Sequence, residues 1–290
     1  MKEEILPYLN KYKGKTFVVK YGGSIMKNEV AQEAFFNDVS LMRANGINIV
    51  IVHGGGPEIS KWLNKTGLES KFVNGLRVTD RSTMEIVEMV LSGNVNKKIS
   101  SSLCRKGINA IGISGKDCNL IKAKKKYAYV NYKKIDIGYV GEVVSINKKL
   151  LIDLMEKEDV PVISPIGSDN EGNSYNINAD FAAAFISGVL KAEKLLIMTD
   201  IEGVYTDIHD PSSLIAEITV NEIMDLINNG SITNGMIPKL ECCIDAIEKG
   251  AKNVHLVDGR CEHALLADLC SSSGTSIVSG GGIIKCQKII

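Results

Sequence analysis

Apolar residues along this chain fall into two alternating rhythms. Near-continuous runs of Val, Ile and Leu predict buried strands at Thr16–Lys20, Ile47–His53, Ala110–Ile113, Val160–Ser164, Leu195–Thr199 and Asn253–Val257. Apolar positions three and four apart predict helices over Ala31–Asn45, Thr83–Arg105, Lys148–Lys157, Asp180–Leu190 and Pro238–Lys249, and Ile5, Tyr8, Leu9 and Tyr12 predict a short one before the first strand. Strands that are apolar on both faces, alternating with helices, predict an α/β fold: a mostly parallel central sheet between two helical layers, a three-layer α/β/α sandwich. The stretch from Asn119 to Ile146 breaks this rhythm, alternating polar and apolar residues with glycines at 138 and 141, as antiparallel hairpins do. With no long linker, repeat or low-complexity segment, residues 1–290 read as a single domain whose sheet serves two lobes, 1–190 and 191–290. The tail from Gly280 onward reads as a flexible end.

Charge narrows the function by exclusion. Lys+Arg and Asp+Glu both count 34, so no net field draws the chain to nucleic acid or a membrane surface. The one basic cluster, Lys122 to Lys126 with Tyr127 and Tyr129 beside it, reads as a solvated hairpin. No apolar run reaches the ~18–20 residues needed to span a bilayer, and Met1 to Leu6 lacks the apolar core of a signal peptide. Seven cysteines form no CxxC pair, and Cys242 and Cys243 are adjacent, which suits neither a zinc site nor an ordinary disulfide. They read as reduced, mostly buried thiols of a cytoplasmic protein.

Chemistry enters where strands end. Ile49-Val50-Ile51-Val52 empties into His53-Gly54-Gly55-Gly56-Pro57, and Phe17-Val18-Val19-Lys20 into Tyr21-Gly22-Gly23-Ser24. Residues without side chains let backbone N–H groups approach a ligand, and a proline suits the first turn of a helix whose N-terminus attracts anions. Two such turns, one carrying a lysine, point to a phosphate site. There is no GxxxxGK[ST], no GxGxxG after the first strand, and no HRD or DFG, so this is not a P-loop, dinucleotide or protein-kinase architecture. Lys239 stands in the first turn of a helix, where a cation opposes the dipole unless an anion binds; an exposed lysine at a frayed end fits equally. Asp180 fits a carboxylate that complements the dipole of the helix it opens, with Asn178 as its cap, as well as one that orients the lysines. Arg77 suits either a carboxylate gripped by two parallel hydrogen bonds or plain solvent exposure. His53 is a structural hydrogen-bonder or a catalyst. The turn Asp200-Ile201-Glu202-Gly203-Val204-Tyr205 lies at a strand's carboxyl end, where ligands of open α/β sheets gather, and could take a nucleoside.

Taken in order, Lys20-Tyr21-Gly22-Gly23-Ser24, His53 to Pro57, Asn74-Gly75-Leu76-Arg77-Val78-Thr79-Asp80, Gly115-Lys116-Asp117, Gly138 to Glu142, Tyr175-Asn176-Ile177-Asn178-Ala179-Asp180, Ala192 to Leu195 and Gly235-Met236-Ile237-Pro238-Lys239 resemble the amino acid kinase family. The resemblance runs from about residue 15 to 278 and is closest to members that phosphorylate the side-chain carboxylate of N-acetyl-L-glutamate with ATP, the second step of arginine biosynthesis. It implies that Lys20 and Lys239 stabilise the transferring phosphoryl group and that Asp180 organises both. It further implies that Gly55, Gly56, Arg77 and Asn176 hold the acetylated amino acid in lobe 1–190. Gly22, Gly23, Asp200, Gly203, Val204, Tyr205, Ser231 and Thr233 would contact the nucleotide, mainly in lobe 191–290, with Mg²⁺ held by the phosphates of ATP and no protein metal ligand. Family members inhibited by L-arginine assemble as hexamers, trimers of dimers, through a longer N-terminal helix than the one here. His263 to Leu269 and Gly274 to Ile277 resemble part of their arginine site, so L-arginine inhibition and a homodimer or hexamer are both expectations. Asn234 stands where a glycine is common in the family.

Overall fold

The computed structural model describes residues 2–23, 25–207, 209–232, 236–271 and 274–280. In chain order its strands are β1 (Thr16–Tyr21), β2 (Asn48–His53), β3 (Phe72–Val73), β4 (Leu76–Arg77), β5 (Ala110–Ser114), β6 (Ile121–Val130), β7 (Lys133–Ile146), β8 (Val160–Ser164), β9 (Ile166–Ser168), β10 (Ser174–Ile177), β11 (Lys194–Thr199), β12 (Glu217–Thr219), β13 (Asn253–Asp258) and β14 (Thr275–Val278). Its helices are α1 (Lys2–Lys11), α2 (Glu29–Ala44), α3 (Gly56–Lys65), α4 (Arg81–Glu88), α5 (Asn96–Arg105), α6 (Lys148–Glu156), α7 (Ala179–Leu190), α8 (Val220–Asn228), α9 (Ile237–Glu248) and α10 (Ala264–Ser271).

Eight strands form one sheet in the order β12-β14-β13-β11-β1-β2-β8-β5. Every neighbouring pair in it is parallel except β13 with β14. Alternation along the strands divides the core in two. Phe17, Val19, Ile49, Ile51 and Met198 pack under α1 to α5 and α10, while Val18, Val50, Val52, Leu195 and Ile197 pack under α6 to α9. That is the expected three-layer sandwich. Because β1, β2, β8, β11 and β13 run in the same direction, their carboxyl ends share one edge of the sheet, and the candidate residues collect there.

Four features depart from expectation. The helix over Thr83–Arg105 is there, but a π-helical turn, Met89–Val95, interrupts it between α4 and α5. The stretch around Asn119–Ile146 does form a hairpin, β6 and β7, yet this closes with β9 and β10 into a small four-stranded barrel beside the main sheet. The short strands β12 and β14 extend the sheet beyond β13; three or four residues are too few to show an alternation in sequence. The thiols are not mostly buried: Cys242 and Cys243 are, whereas Cys104, Cys118, Cys261 and Cys270 are exposed. Loop and helix-end positions account for those four, where no sheet face covers them. The tail expected to be flexible lies, beyond Gly280, outside the described residues.

Candidate active site

The two glycine turns meet. Strands β1 and β2 pair in register with Tyr21 opposite His53, and the Gly54 N–H donates to the Tyr21 carbonyl at 3.0 Å. Gly23 lies against the Pro57 ring, so that a Cβ there would sit 3.6 Å from it. Gly55 precedes α3 and Gly56 opens it, with Pro57 in the first turn, where its missing N–H costs the helix nothing. Gly22 passes close to β11: a Cβ at this position would lie 2.4 Å from the Met198 carbonyl oxygen and 3.2 Å from Lys20 Nζ. Only glycine lets the first turn cross the end of β11 at that distance.

Lys20, the penultimate residue of β1, points to Asp180 in the first turn of α7. Its ammonium lies 2.9 Å from Asp180 Oδ1, with both side chains about 15% exposed (14% and 16%). The contact is an ion pair by proximity rather than an aligned hydrogen bond, since that buried oxygen has no hydrogen-bond partner. Asn178 caps α7, accepting from the Asp180 N–H at 2.8 Å and the Phe181 N–H at 3.4 Å. Asn178 is thus the cap, as expected, and the Asp180 carboxylate is left for the lysine.

Lys239, in the first turn of α9, reaches the end of β11. Its ammonium donates to Thr199 Oγ1 at 2.8 Å and to Asp200 Oδ1 at 3.3 Å. Its positive charge holds the Asp200 carboxyl below the usual carboxylate range. In this structure Asp180 is paired with Lys20 and Asp200 with Lys239, instead of Asp180 joining both lysines. The Asp200 contact to Lys239 was not foreseen; Asp200 adjoins Thr199 at the strand end, and only the approach of α9 makes it a partner.

Arg77 is buried, 7% exposed, rather than a surface arginine. Its guanidinium donates to Ser70 Oγ, to Ser60 Oγ at 3.0 Å and to the Gly56 carbonyl at 3.1 Å, and lies 4.7 Å from the centre of the Phe72 ring. It thus ties the β3–β4 hairpin to the first turns of α3, and burial lowers its pKa. Asn176 on β10 donates through Nδ2 to Thr79 Oγ1 at 3.3 Å, two residues from Arg77. Arg77, Asn176 and the second glycine turn are in this way parts of one connected wall.

His53 is completely buried. Asn96 Nδ2 lies 3.1 Å from Nε2, and Nδ1 lies 2.8 Å from the Gly54 carbonyl. The amide N–H can only donate, so Nε2 accepts and the ring proton sits on Nδ1, in the neutral tautomer. Burial lowers its pKa from 6.5 to about 4. His53 is the structural hydrogen-bonder of the two readings, bracing the glycine turn from behind.

The turn after β11 divides by role. The Val204 side chain is in the core and its N–H donates to Thr275 Oγ1 at 2.8 Å. A Cβ at Gly203 would lie 2.4 Å from the same hydroxyl, so both residues serve packing against β14. Of the other side chains of the turn, Asp200 accepts from Lys239 and the Tyr205 hydroxyl donates to Glu202. Ser231 is exposed, its N–H donating to Asn229 Oδ1 at 2.9 Å. Thr233, Asn234 and Gly235 lie outside the described residues, as does Ser24. Among the described residues no group of three or more His, Cys, Asp or Glu side chains is arranged to hold a metal ion.

Similarity to known proteins agrees with this geometry. Residues 15–258 match the amino acid kinase family. A protein of Clostridium acetobutylicum called acetylglutamate kinase is 57% identical over 288 residues, covering 99% of this chain and 97% of its own. One of the same name from Thermoanaerobacter pseudethanolicus is 48% identical over 277 residues, covering 96% and 91%. Among solved structures, N-acetylglutamate synthase from Neisseria gonorrhoeae, complexed with coenzyme A and N-acetyl-glutamate, superposes with a TM-score of 0.82 at 22% identity. That match covers 97% of this chain but 63% of the synthase chain, and at such identity it speaks for the fold alone.

Proposed function

The chain belongs to the amino acid kinase family and is an ATP-dependent kinase, and on that premise we propose that it phosphorylates the side-chain carboxylate of N-acetyl-L-glutamate, giving N-acetyl-L-glutamyl 5-phosphate and ADP in arginine biosynthesis. The observation that carries the reaction is the gathering of Lys20, Lys239 and two glycine turns at one sheet edge, with Arg77 beside them. The substrate is the one that the relatives' name gives.

The chemistry needs little from the protein besides charge and alignment. A side-chain carboxylate of pKa ~4.3 is ionised at neutral pH, so the nucleophile requires no general base. This agrees with a neutral, buried His53. The barrier is repulsion between carboxylate and triphosphate, and phosphoryl transfer proceeds as the oxygens of the moving group are neutralised and the reacting atoms aligned. Lys20 and Lys239 would supply positive charge from opposite lobes, and Asp180 would hold Lys20 in place. Arg77, with Gly55, Gly56 and Asn176, would hold the acetylated amino acid. Gly22, Gly23, Asp200, Tyr205, Ser231 and Thr233 would flank the nucleotide, lobe 191–290 being the ATP side and lobe 1–190 the acceptor side. The carboxylates at the site, Asp180 and Asp200, are each committed to a lysine, a donor set that fits Mg²⁺ carried by the phosphates and not a resident ion. Bound so, Mg²⁺ would neutralise charge on the nucleotide oxygens.

A homodimer or hexamer, inhibition by L-arginine and a cytoplasmic location complete the proposal. In support, α1 packs against α10, which carries most of the stretch from His263 to Leu269 that resembles the arginine site. In that region Asp268 is already paired with Lys194 at 2.8 Å and His255 at 2.6 Å. No helix among the described residues is long and apolar enough to cross a membrane. The test is ATP turnover with N-acetyl-L-glutamate, with free glutamate and N-acetyl-aminoadipate as controls, repeated without Mg²⁺ and with L-arginine. Turnover specific to N-acetyl-L-glutamate is expected; turnover with N-acetyl-aminoadipate alone, or with none of the three, would overturn the assignment.

A further inference from the structure

We propose that Thr79 is a positioning residue for the acceptor site, fixing Arg77 and Asn176 relative to each other through its hydroxyl. The inference rests on the function proposed above and deepens it. Thr79 is completely buried, and all of its polar groups are used. Its N–H donates to the Ile137 carbonyl at 3.0 Å, and its carbonyl accepts from the Tyr139 N–H at 2.6 Å, bridging it to β7. The approach requires Gly138: a Cβ there would lie 2.1 Å from the Thr79 carbonyl oxygen, and its φ of +79° is one that glycine adopts without strain. The side chain then acts in the other direction. Oγ1 donates its single proton to the Arg77 carbonyl at 2.8 Å, so towards Asn176 it can only accept. The amide of Asn176 must therefore present Nδ2 to Thr79, which leaves Oδ1 and its second N–H for the acceptor substrate. One proton thus sets both the backbone of Arg77 and the orientation of the Asn176 amide. Arg77 on β4 and Asn176 on β10 belong to different strands, and the Thr79 hydroxyl is a link between them.

Thr79→Val keeps the shape and both backbone bonds to β7 but removes the hydroxyl, leaving the Asn176 amide free to turn. The KM for N-acetyl-L-glutamate is expected to rise about tenfold, as for the loss of buried hydrogen bonds, with kcat and the KM for ATP within about twofold of wild type. Thr79→Ser, which restores the hydroxyl, is expected to return the KM to the wild-type value. Independently of any substrate, the side-chain amide resonances of Asn176 and the Nε–H resonance of Arg77 in a ¹H–¹⁵N spectrum are expected to shift in Thr79→Val and to return in Thr79→Ser. A Thr79→Val protein in which kcat and both KM values change together, or in which those resonances stay in place, overturns the positioning role. Wild-type protein that does not phosphorylate N-acetyl-L-glutamate overturns the function instead, and the spectra still decide the role of Thr79.

Discussion

Acidification offers a direct test of whether His53, the most conspicuous titratable group in the glycine turns, takes part in chemistry or only braces the fold. Its folded pKa of about 4 lies below its unfolded value of 6.5. Between those pH values the unfolded chain binds a proton that the folded chain does not, so lowering the pH favours unfolding. At roughly 1.36 kcal/mol for each pH unit, the interval of 6.5 minus about 4 amounts to about 3 kcal/mol, present in full above pH 6.5 and gone by pH 4. Asp38 runs the other way. Burial raises its pKa from 3.8 to about 6 although it pairs with His263, so acidification across that range stabilises the folded state and masks the effect of His53 in the wild type. The assay is therefore a comparison: urea unfolding of wild type and His53→Gln at pH 7, 6, 5 and 4.5. The stability difference between the two proteins should shift by about 2–3 kcal/mol in favour of His53→Gln on going from pH 7 to 4.5. The kcat/KM profile should carry no inflection near pH 6.5 from this residue. A pH-independent stability difference, or an activity inflection that the substitution abolishes, would mean that His53 is protonated in the native state and that its surroundings have been misread.

Three further substitutions probe the site. Lys239→Ala should lower kcat by about 10²–10³ with KM values little changed, since the ammonium is assigned to charge that develops in the transition state; an equal loss in kcat and KM would refute that. Arg77→Lys keeps the charge but replaces a fork holding Ser70, Ser60 and Gly56 with a single ammonium. It should raise the KM for N-acetyl-L-glutamate at least tenfold and leave that for ATP alone, whereas a selective rise for ATP would put Arg77 in the wrong pocket. Gly22→Ala forces a methyl to within 2.4 Å of the Met198 carbonyl and should lower kcat and ATP affinity together; unchanged kinetics would show that the first turn does not need its present path.

Much of this was legible in the chain because it is local. The runs ending at Lys20, His53 and Thr199 identified three adjacent strands of the sheet to within a residue, since a buried parallel strand is apolar on both faces and ends abruptly at its glycine or polar turn. Arg77 and Asp180 stood in motifs specific enough to be singled out. What stayed hidden depends on contacts between distant segments. Neither the pairing of Lys239 with Asp200 nor the burial of Val204 against β14 has a local sign, and Thr79 reads as one polar residue of a loop until β7 and β10 are placed on either side of it. The π turn at Met89–Val95 also escaped, because a register change of one residue hardly alters the helical spacing of apolar side chains.

The pairing of β1 with β11, from Phe17 opposite Lys194 to Lys20 opposite Ile197, joins the first strand of the chain to one that follows residue 190. The stretches before and after residue 190 are therefore stitched along the length of a strand, not strung on a tether, and a chain cut there would yield no autonomous half. Each fragment would expose the bare edge of a mostly apolar, buried strand, an invitation to pair with another copy. An order of synthesis follows: β1 and β2 leave the ribosome early, but β1 keeps one edge open until residues 194–199 have been made. For most of its assembly the earlier part of the chain is an unfinished sheet, and the segment that closes it is the one that also brings Thr199 and Asp200 to Lys239.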